Sequence, residues 1–434
     1  MQDDENGALD LTTRSVTALR ALEALRAGVP NSESVLALGT NQKRVVDAYL
    51  QKLEATKSRS QWKDNDVPAG GILTGGDFGS GKSHLLEYLA QLALQQNFVV
   101  SKVVISKETP LHNISAVFRA AINDARVPGR PGSAMKEVAF AIKTNSQRYA
   151  QFYRWLETDG RFLDHRLIAT LRMFEQYASG DEEFVDRILQ FWAGDSFGVT
   201  EIRKRLREAG WLGDYNITST KEDILCRDRI SFFSRLVAAA GYSGWVLLID
   251  EVELISRYSL LQRARSYVEI AGWIDGSKRD PDAPWTAVLT TVDDFETEVL
   301  IKRNDLDKVP AKLANQKSGD WQRSSDDAQR GMNLLSRGQM TLDPPSASDL
   351  DHTYQAIKDI HGEGFQWSPP EVEGIERLPS NRIRQYVRSW INEWDLIYLD
   401  PTYAPVTLVT PVEMDFAEDS EIQGPLEPPQ PTNG

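Results

Sequence analysis

The sequence has very little cysteine, no long apolar run and no histidine pair at metal-ligand spacing. Its single cysteine, Cys226, excludes an intramolecular disulfide and a cysteine-based metal cluster. The five histidines are dispersed, so a zinc site is not expected. No apolar run approaches the roughly 20 residues that span a bilayer, and the acidic start differs from a signal peptide. We therefore expect a cytoplasmic protein without a membrane span.

An excess of basic residues is also missing, since the formal net charge is -14. The chain as a whole repels the phosphates of nucleic acids, so contact with DNA would require a local basic patch. We expect such contact to be weak for the isolated protein, and the sequence leaves open whether DNA is bound. Part of the negative charge lies in the proline-rich stretch 401–434, which is predicted to be a solvated tail.

The hydrophobic patterns divide the chain into successive parts. The part 56–110 begins with a polar linker at 56–69. A strand, a glycine loop, a helix and a second strand then follow one another up to residue 110. Such a unit requires a parallel sheet with helices on its faces. The predicted fold is therefore α/β, with a large helical insert and a C-terminal helical lid. Its parts are an N-terminal helical segment (1–55), the first part of the core (56–110), the insert (111–240), the second part of the core (241–345), the lid (346–400) and the tail (401–434).

The glycine loop has the Walker A pattern, and it stands between an apolar strand and an apolar-periodic helix, as that motif requires. Its residues are Gly76, Asp77, Phe78, Gly79, Ser80, Gly81, Lys82 and Ser83. Glycines allow successive backbone N–H groups to point at a phosphate, and the start of the following helix adds positive charge. Lys82 would contact the β and γ phosphates of ATP, and Ser83 would ligate Mg²⁺. We include His84 among the nucleotide-binding candidates.

A second motif is the apolar run Val246–Ile249, which ends in Asp250 and Glu251. It resembles a Walker B strand, which delivers carboxylates to the edge of the sheet where ligands bind. Asp250 would hold the Mg²⁺ shell, and Glu251 would polarise the attacking water. Glu253 is a weaker candidate for that role. The alternative is an ordinary buried strand followed by a solvated acidic loop.

Three further residues are candidates for sensing the γ-phosphate. Thr290 ends the next apolar strand, although a threonine there also satisfies backbone groups in many proteins. Arg384 and Arg382 open a helix in the lid, and either could instead form a surface salt bridge. The arginines that follow the two core strands could act in trans as arginine fingers if the protein forms a ring, but the sequence singles out none of them and we expect solvated charges; they are Arg257, Arg263, Arg265, Arg303, Arg323 and Arg330.

Several phrases of the sequence resemble the ATP-binding proteins of BREX bacteriophage-defence systems. They are Ala24–Asn31, Ala37–Gly39, the segment from Thr74 to His84, Leu248–Glu253 and Arg384–Arg388. The resemblance implies a P-loop protein of AAA+ type that binds ATP and Mg²⁺. It also implies partners among other defence-system proteins, including a helicase-like one. Separately, we consider assembly into a homo-oligomer such as a ring.

Two other functions fit the same motifs. One is a nucleotide-dependent scaffold or switch with little hydrolysis. The presence of Glu251 favours an enzyme over this alternative. The other is an origin-recognition-like ATPase that loads proteins onto DNA. Such proteins usually carry a DNA-binding domain after the lid, and only about 35 residues follow Tyr398, fewer than a typical domain needs.

Overall fold

The structure is a computed structural model of the chain. It describes residues 2–63, 67, 69–130, 132–158, 163–276, 279–314, 321–372 and 383–403, and for 2–13 and 321–322 it describes the backbone alone. Arg382 and all but the first residues of the predicted tail lie outside the described residues. None of the described helices combines the length and the apolar character needed to cross a bilayer.

A five-stranded sheet forms the centre of the molecule, and all of its described strand pairs are parallel. The strands are β1 (Ile72–Gly75), β2 (Val99–Val104), β3 (Trp245–Asp250), β4 (Trp285–Thr291) and β5 (Met340–Thr341). Their order across the sheet is β2-β3-β4-β1-β5. The predicted α/β class with a parallel sheet is confirmed. Because β1, β3 and β4 are neighbours, their carboxyl ends deliver Gly75, Asp250 and Thr291 to one edge.

Helices cover both faces of this sheet. In chain order the described helices are α1 (Gln2–Ala27), α2 (Ser32–Leu38), α3 (Lys43–Ser60), α4 (Lys82–Gln95), α5 (Ile114–Asn123), α6 (Ala134–Phe140), α7 (Gln147–Glu157), α8 (His165–Tyr177), α9 (Glu182–Trp192), α10 (Val199–Glu208), α11 (Glu222–Ala239), α12 (Leu260–Ile274), α13 (Asp305–Ala314), α14 (Trp321–Asn333), α15 (Ala347–Phe365) and α16 (Ile383–Leu399). Two π-helical turns, Glu296–Ile301 and Leu334–Gly338, flank the last part of the core.

The alternation of side chains along β3 shows why the strand is apolar throughout. Val246 and Leu248 belong to the core with α3 and α4, whereas Leu247 and Ile249 belong to the core on the opposite face. That second core continues into helices α5–α11, since Phe118 and Phe233 both pack edge-on against Trp245 of β3. A strand buried on both faces needs an unbroken apolar run. Within the described part of 111–240 the chain forms helices and no strand.

The N-terminal helix α1 packs with the C-terminal helices rather than with the sheet. Leu22 and Leu25 share a core with Tyr354 of α15 and Trp390 of α16. The Arg26 guanidinium also donates two hydrogen bonds to Asp395, at 3.1 and 2.9 Å. Helix α3, by contrast, packs on the sheet. The predicted segment 1–55 is thus divided between two cores. Helices α1, α15 and α16 form one helical body, and from here on the word lid includes α1 as well as the helices of the predicted lid.

One stretch of chain between α2 and α3 and another between β5 and α15 run between the lid and the sheet. Gln42 of the first stretch bonds to Asp343 of the second. Its side-chain amide donates to the Asp343 carbonyl at 2.9 Å and accepts from the Asp343 N–H at 2.8 Å. This side chain therefore forms the same pair of bonds that a neighbouring strand would form. Gln42 is buried, so the paired bonds avoid leaving a polar group unsatisfied.

The polar stretch predicted as a linker at 56–69 is partly helical, because α3 continues to Ser60. The reason is the burial of its polar side chains. The Arg59 guanidinium donates to the carbonyls of Ala283 and Trp285 at 3.1 Å each. A polar composition normally indicates solvent exposure, but here these side chains satisfy backbone groups at the start of β4.

One arginine expected to be solvated is buried instead. Arg263 of α12 donates to both carboxylate oxygens of Asp305, at 2.7 and 2.8 Å, and Tyr267 donates to the same carboxylate at 2.6 Å. Neither charged side chain is exposed by more than 3%. The solvated interpretation is wrong for Arg263 because α13 brings a carboxylate to it across the core.

We expect the Asp305→Asn substitution to destabilise the protein strongly. Removal of one partner of a buried ion pair leaves an uncompensated charge and costs about 3–5 kcal/mol. Denaturant unfolding of the variant measures this loss. The control is Glu298→Gln, which removes the exposed Lys302–Glu298 pair and costs about 1 kcal/mol or less. Equal losses in the two variants would contradict the assignment.

Candidate functional site

The glycine loop between β1 and α4 has the backbone of a phosphate-binding turn. Gly79 and Gly81 have positive φ values of 80° and 99°, which side chains other than glycine rarely adopt. A Cβ atom at Gly76 would lie 2.6 Å from the Ser80 hydroxyl, so the loop closes too tightly for a larger residue. The Ser80 hydroxyl is buried without a hydrogen-bond partner among the described residues, as expected for a cradle that binds a polar group.

Lys82 begins α4 and turns back over the loop. Its ammonium donates to the carbonyls of Gly76 at 2.8 Å and Asp77 at 3.3 Å. The side chain is buried, and it lies 3.8 Å from a carboxylate oxygen of Glu253. The structure therefore places one positive charge directly inside the loop, as the sequence pattern indicates.

Asp250 connects three parts of the site. One carboxylate oxygen accepts from the Ser83 hydroxyl at 2.7 Å, and the other accepts from Thr290 at 2.6 Å and from the Glu251 N–H at 3.0 Å. The structure thus brings Ser83, Asp250 and Thr290 together, although their positions in the chain are far apart. The Thr290 hydroxyl is bonded to Asp250, while that of Thr291 is buried without a partner among the described residues.

Glu251 adopts a left-handed backbone conformation, with φ 62° and ψ 35°. Such a conformation is unfavourable for a residue with a side chain, and strain of this kind concentrates at functional sites. Burial and the neighbouring Asp250 raise the pKa of Glu251, while Lys82, Arg384 and Arg257 oppose the shift. The carboxyl is half-buried and lies at the same edge of the sheet as the loop.

Glu253, the weaker candidate of the sequence analysis, is the more buried of the two glutamates. Its side chain is 2% exposed, and burial raises its pKa to about 7 against the opposing charge of Lys82. The signal for it in the sequence is the third acidic residue in Asp250-Glu251-Val252-Glu253. That signal is weak, because acidic residues after a strand are commonly solvated.

A cavity of about 380 Å³ opens beside the loop, between the sheet and the lid. Its volume falls in the range of small-molecule sites. Residues from four parts of the chain line it, including Leu25, Gln42, Ser80, Tyr88, His352 and Val387. The sequence predicts that the N-terminal segment and the lid meet the sheet at the nucleotide, but it does not single out Gly39–Gln42 or residues of α15, because no local motif marks them. His84 also lines the cavity, and its Nε2 lies 2.8 Å from the Gly39 carbonyl.

The lid reaches the loop through the first turn of α16. The Arg384 N–H donates to the Gly79 carbonyl at 3.5 Å, and its guanidinium carbon lies 5.9 Å from the centre of the Phe78 ring. Of the two arginines proposed from the sequence, Arg384 lies beside the loop and Arg382 is outside the described residues. Arg388 of the same helix donates to the Ala27 carbonyl at 2.7 Å.

The side chains present fit a nucleoside triphosphate with a divalent cation. The loop supplies N–H groups at a helix start and one ammonium group, the arrangement that binds phosphates. Ser83 and Asp250 supply two hard oxygen ligands 2.7 Å apart, and Mg²⁺ favours one or two such ligands together with phosphate oxygens. The cavity includes Ser80 and Gly81 and is lined by both apolar and polar side chains, which suits a nucleoside.

The fold and the site define an α/β protein with a glycine-rich loop at the edge of a parallel sheet. A family model described as BREX system ATP-binding protein BrxC/D matches residues 18–147 and 165–395. The chain belongs to this family, and the resemblance stated from the sequence is confirmed. No curated protein and no solved structure matches the chain.

Proposed function

We propose that this member of the BREX ATP-binding family is a Mg²⁺-dependent ATP hydrolase of AAA+ type. The observation that carries the proposal is the position of Asp250, which is hydrogen-bonded to Ser83 and Thr290 at the edge where Lys82 and Glu251 also lie. A protein that only bound nucleotide would need the loop and the metal ligands Ser83 and Asp250, but it would not need Glu251 as a carboxylate that polarises water.

Each group has a separate role in this proposal. Lys82 neutralises the β and γ phosphates, and the N–H groups of 79–83 orient them. Ser83 and Asp250 hold Mg²⁺, which supplies positive charge to the phosphate oxygens when bound. Thr290 keeps the Asp250 carboxylate in place. Glu251 accepts a hydrogen bond from the attacking water and takes up its proton.

The lid couples the nucleotide to a change of shape. Arg384 stands beside the loop at the start of α16, so among the described residues of the lid it is our candidate for contact with the γ-phosphate. Because α1, α15 and α16 share one core, movement of Arg384 would move all three helices. We propose that partners detect this movement. They would be other BREX proteins, including a helicase-like one, or further copies of this chain.

Phosphate release from ATP tests the proposal. We expect the purified protein to release phosphate in the presence of Mg²⁺. Phosphate release should stop in excess EDTA and resume when Mg²⁺ is restored, because the metal and the phosphates bind together at this site. The molecular mass, measured with and without ATP, reports assembly in the same samples. ATP binding without release at any Mg²⁺ concentration would instead favour the nucleotide-dependent switch.

DNA binding distinguishes the remaining alternative. A loading ATPase would bind DNA with an affinity that falls steeply with salt, because phosphate contacts release counterions. With a net charge of -14, the isolated chain is expected to bind DNA weakly.

A further inference from the structure

Glu253 is a buried carboxyl that the proposed hydrolysis does not use. Its side chain is 2% exposed, and one oxygen lies 3.8 Å from the Lys82 ammonium. The other oxygen has no hydrogen-bond partner among the described residues. Burial of a carboxylate with an unsatisfied oxygen lowers the stability of the fold. The presence of Glu253 beside Lys82 therefore requires a physical explanation.

The turn that carries Glu253 is fixed by the core. Val252 and Ile255 of the 3₁₀ turn Val252–Arg257 are fully buried in the core on one face of the sheet. Since the turn is anchored on both sides of Glu253, the carboxyl cannot reach solvent without unpacking these residues. Its position beside the loop is therefore a fixed feature of the fold.

The Lys82 ammonium forms two hydrogen bonds and one ion pair in this arrangement. It donates to the carbonyls of Gly76 and Asp77 and lies beside Glu253. A triphosphate in the loop requires the same ammonium group. Binding must therefore withdraw Lys82 from these oxygens, and the only full negative charge among them is that of Glu253.

We propose that Glu253 is a positioning residue that holds Lys82 in the nucleotide-free loop and thereby competes with the triphosphate for it. The inference depends on the proposed function, because it concerns the same loop. Its consequence is that Glu253 weakens ATP binding, whereas the other charged groups of the site strengthen binding or act in hydrolysis.

The competition depends on pH. The charged groups around Glu253 are Lys82, Glu251 and Asp250, and burial raises the pKa of Glu253 to about 7. Withdrawal of Lys82 removes the group that opposes this shift, and the triphosphate adds negative charge, so both changes favour the protonated carboxyl. ATP binding then takes up a proton near neutral pH. As pH rises from 6 to 8 the carboxylate form increases, and the affinity for ATP falls.

The test is the dissociation constant of ATP for the full chain and its Glu253→Gln variant, at pH 6 and pH 8 with Mg²⁺. Glutamine has the same shape but neither charge nor titration. We expect the variant to bind ATP roughly tenfold more tightly than the parent at pH 8 and about equally at pH 6. The ratio of the two constants cancels the titration of ATP itself.

Two further variants act as controls. Glu54→Gln removes one exposed carboxylate charge on α3, and its affinity at pH 8 is expected to stay close to that of the parent. Glu253→Asp keeps a carboxylate, so it should retain the weaker binding at pH 8 that Glu253→Gln loses. If Glu253→Gln fails to fold, calorimetry of the parent in buffers of different ionisation enthalpy reports the proton uptake directly.

Equal affinities of parent and Glu253→Gln at pH 8, or no proton uptake by the parent near pH 7, would overturn the inference. A variant that binds ATP normally but releases no phosphate would also overturn it, since Glu253 would then act in catalysis. None of these results alters the expectation that the parent binds ATP and hydrolyses it. Failure of the parent to release phosphate would overturn the proposed function and leave the affinity comparison readable.

Discussion

Lys82→Ala is expected to lower the affinity for ATP roughly 30-fold or more, since loss of one partner from a buried charge pair costs about 2–5 kcal/mol. Lys82 is the only ammonium group that the described residues place within the glycine loop, where it bonds to Gly76 and Asp77. Its removal leaves the triphosphate without a direct counter-charge and leaves Glu253 without its partner. Titration with a fluorescent ATP analogue measures the change.

The control for this variant is Lys302→Ala. Lys302 is an exposed lysine that pairs with Glu298 within the same turn of chain, so its loss removes the same charge away from the loop. We expect its affinity to match that of the parent, and circular dichroism should show that both variants are folded. Normal ATP affinity in Lys82→Ala would mean that the nucleotide binds elsewhere.

Glu251→Gln is expected to slow phosphate release by about 10²–10⁴-fold, the usual contribution of a general base, and to leave ATP binding nearly unchanged. The amide cannot accept the proton of the attacking water, but it keeps the shape of the side chain in its left-handed position. Single-turnover phosphate release with bound ATP measures the chemical step. Glu54→Gln, at an exposed ion pair on α3, is the control and should release phosphate at the parental rate.

The same residue should set the acid limb of the pH profile. Burial and Asp250 raise the pKa of Glu251, and only the ionised carboxyl can accept a proton. Phosphate release should therefore begin to fall at a higher pH than an ordinary glutamate would give, and it should continue to fall as the solution is made more acidic. A rate that is independent of pH across this range, or a Glu251→Gln variant with the parental rate, would contradict the assignment.

The parts of the fold that follow from local pattern could be predicted from the sequence. The apolar run before the glycine loop and the run Val246–Ile249 are short, buried and bounded by turns, so each predicts a strand whose end lies at the ligand edge. The structure brings Ser83 and Asp250 within hydrogen-bond distance at that edge. These contacts follow from motif order and parallel topology alone.

Other features depend on contacts between distant parts of the chain, which no local pattern encodes. Leu22 of α1 packs with Trp390 of α16, so the lid includes the start of the chain. Arg263 resembles a solvated arginine until Asp305 is placed beside it. Glu253 is similar, because its burial arises from the packing of its turn against the sheet. In each case the sequence gives the residue type, but the tertiary partner decides its environment.

The most direct test of the central claim is a crystal structure of the chain with Mg²⁺ and a non-hydrolysable ATP analogue. We expect the triphosphate in the loop of Gly76–Ser83, with Lys82 on the phosphates, the metal on the Ser83 hydroxyl and the nucleoside in the cavity beneath the lid. A nucleotide bound away from this loop, or a metal that touches neither Ser83 nor the water shell of Asp250, would contradict the account.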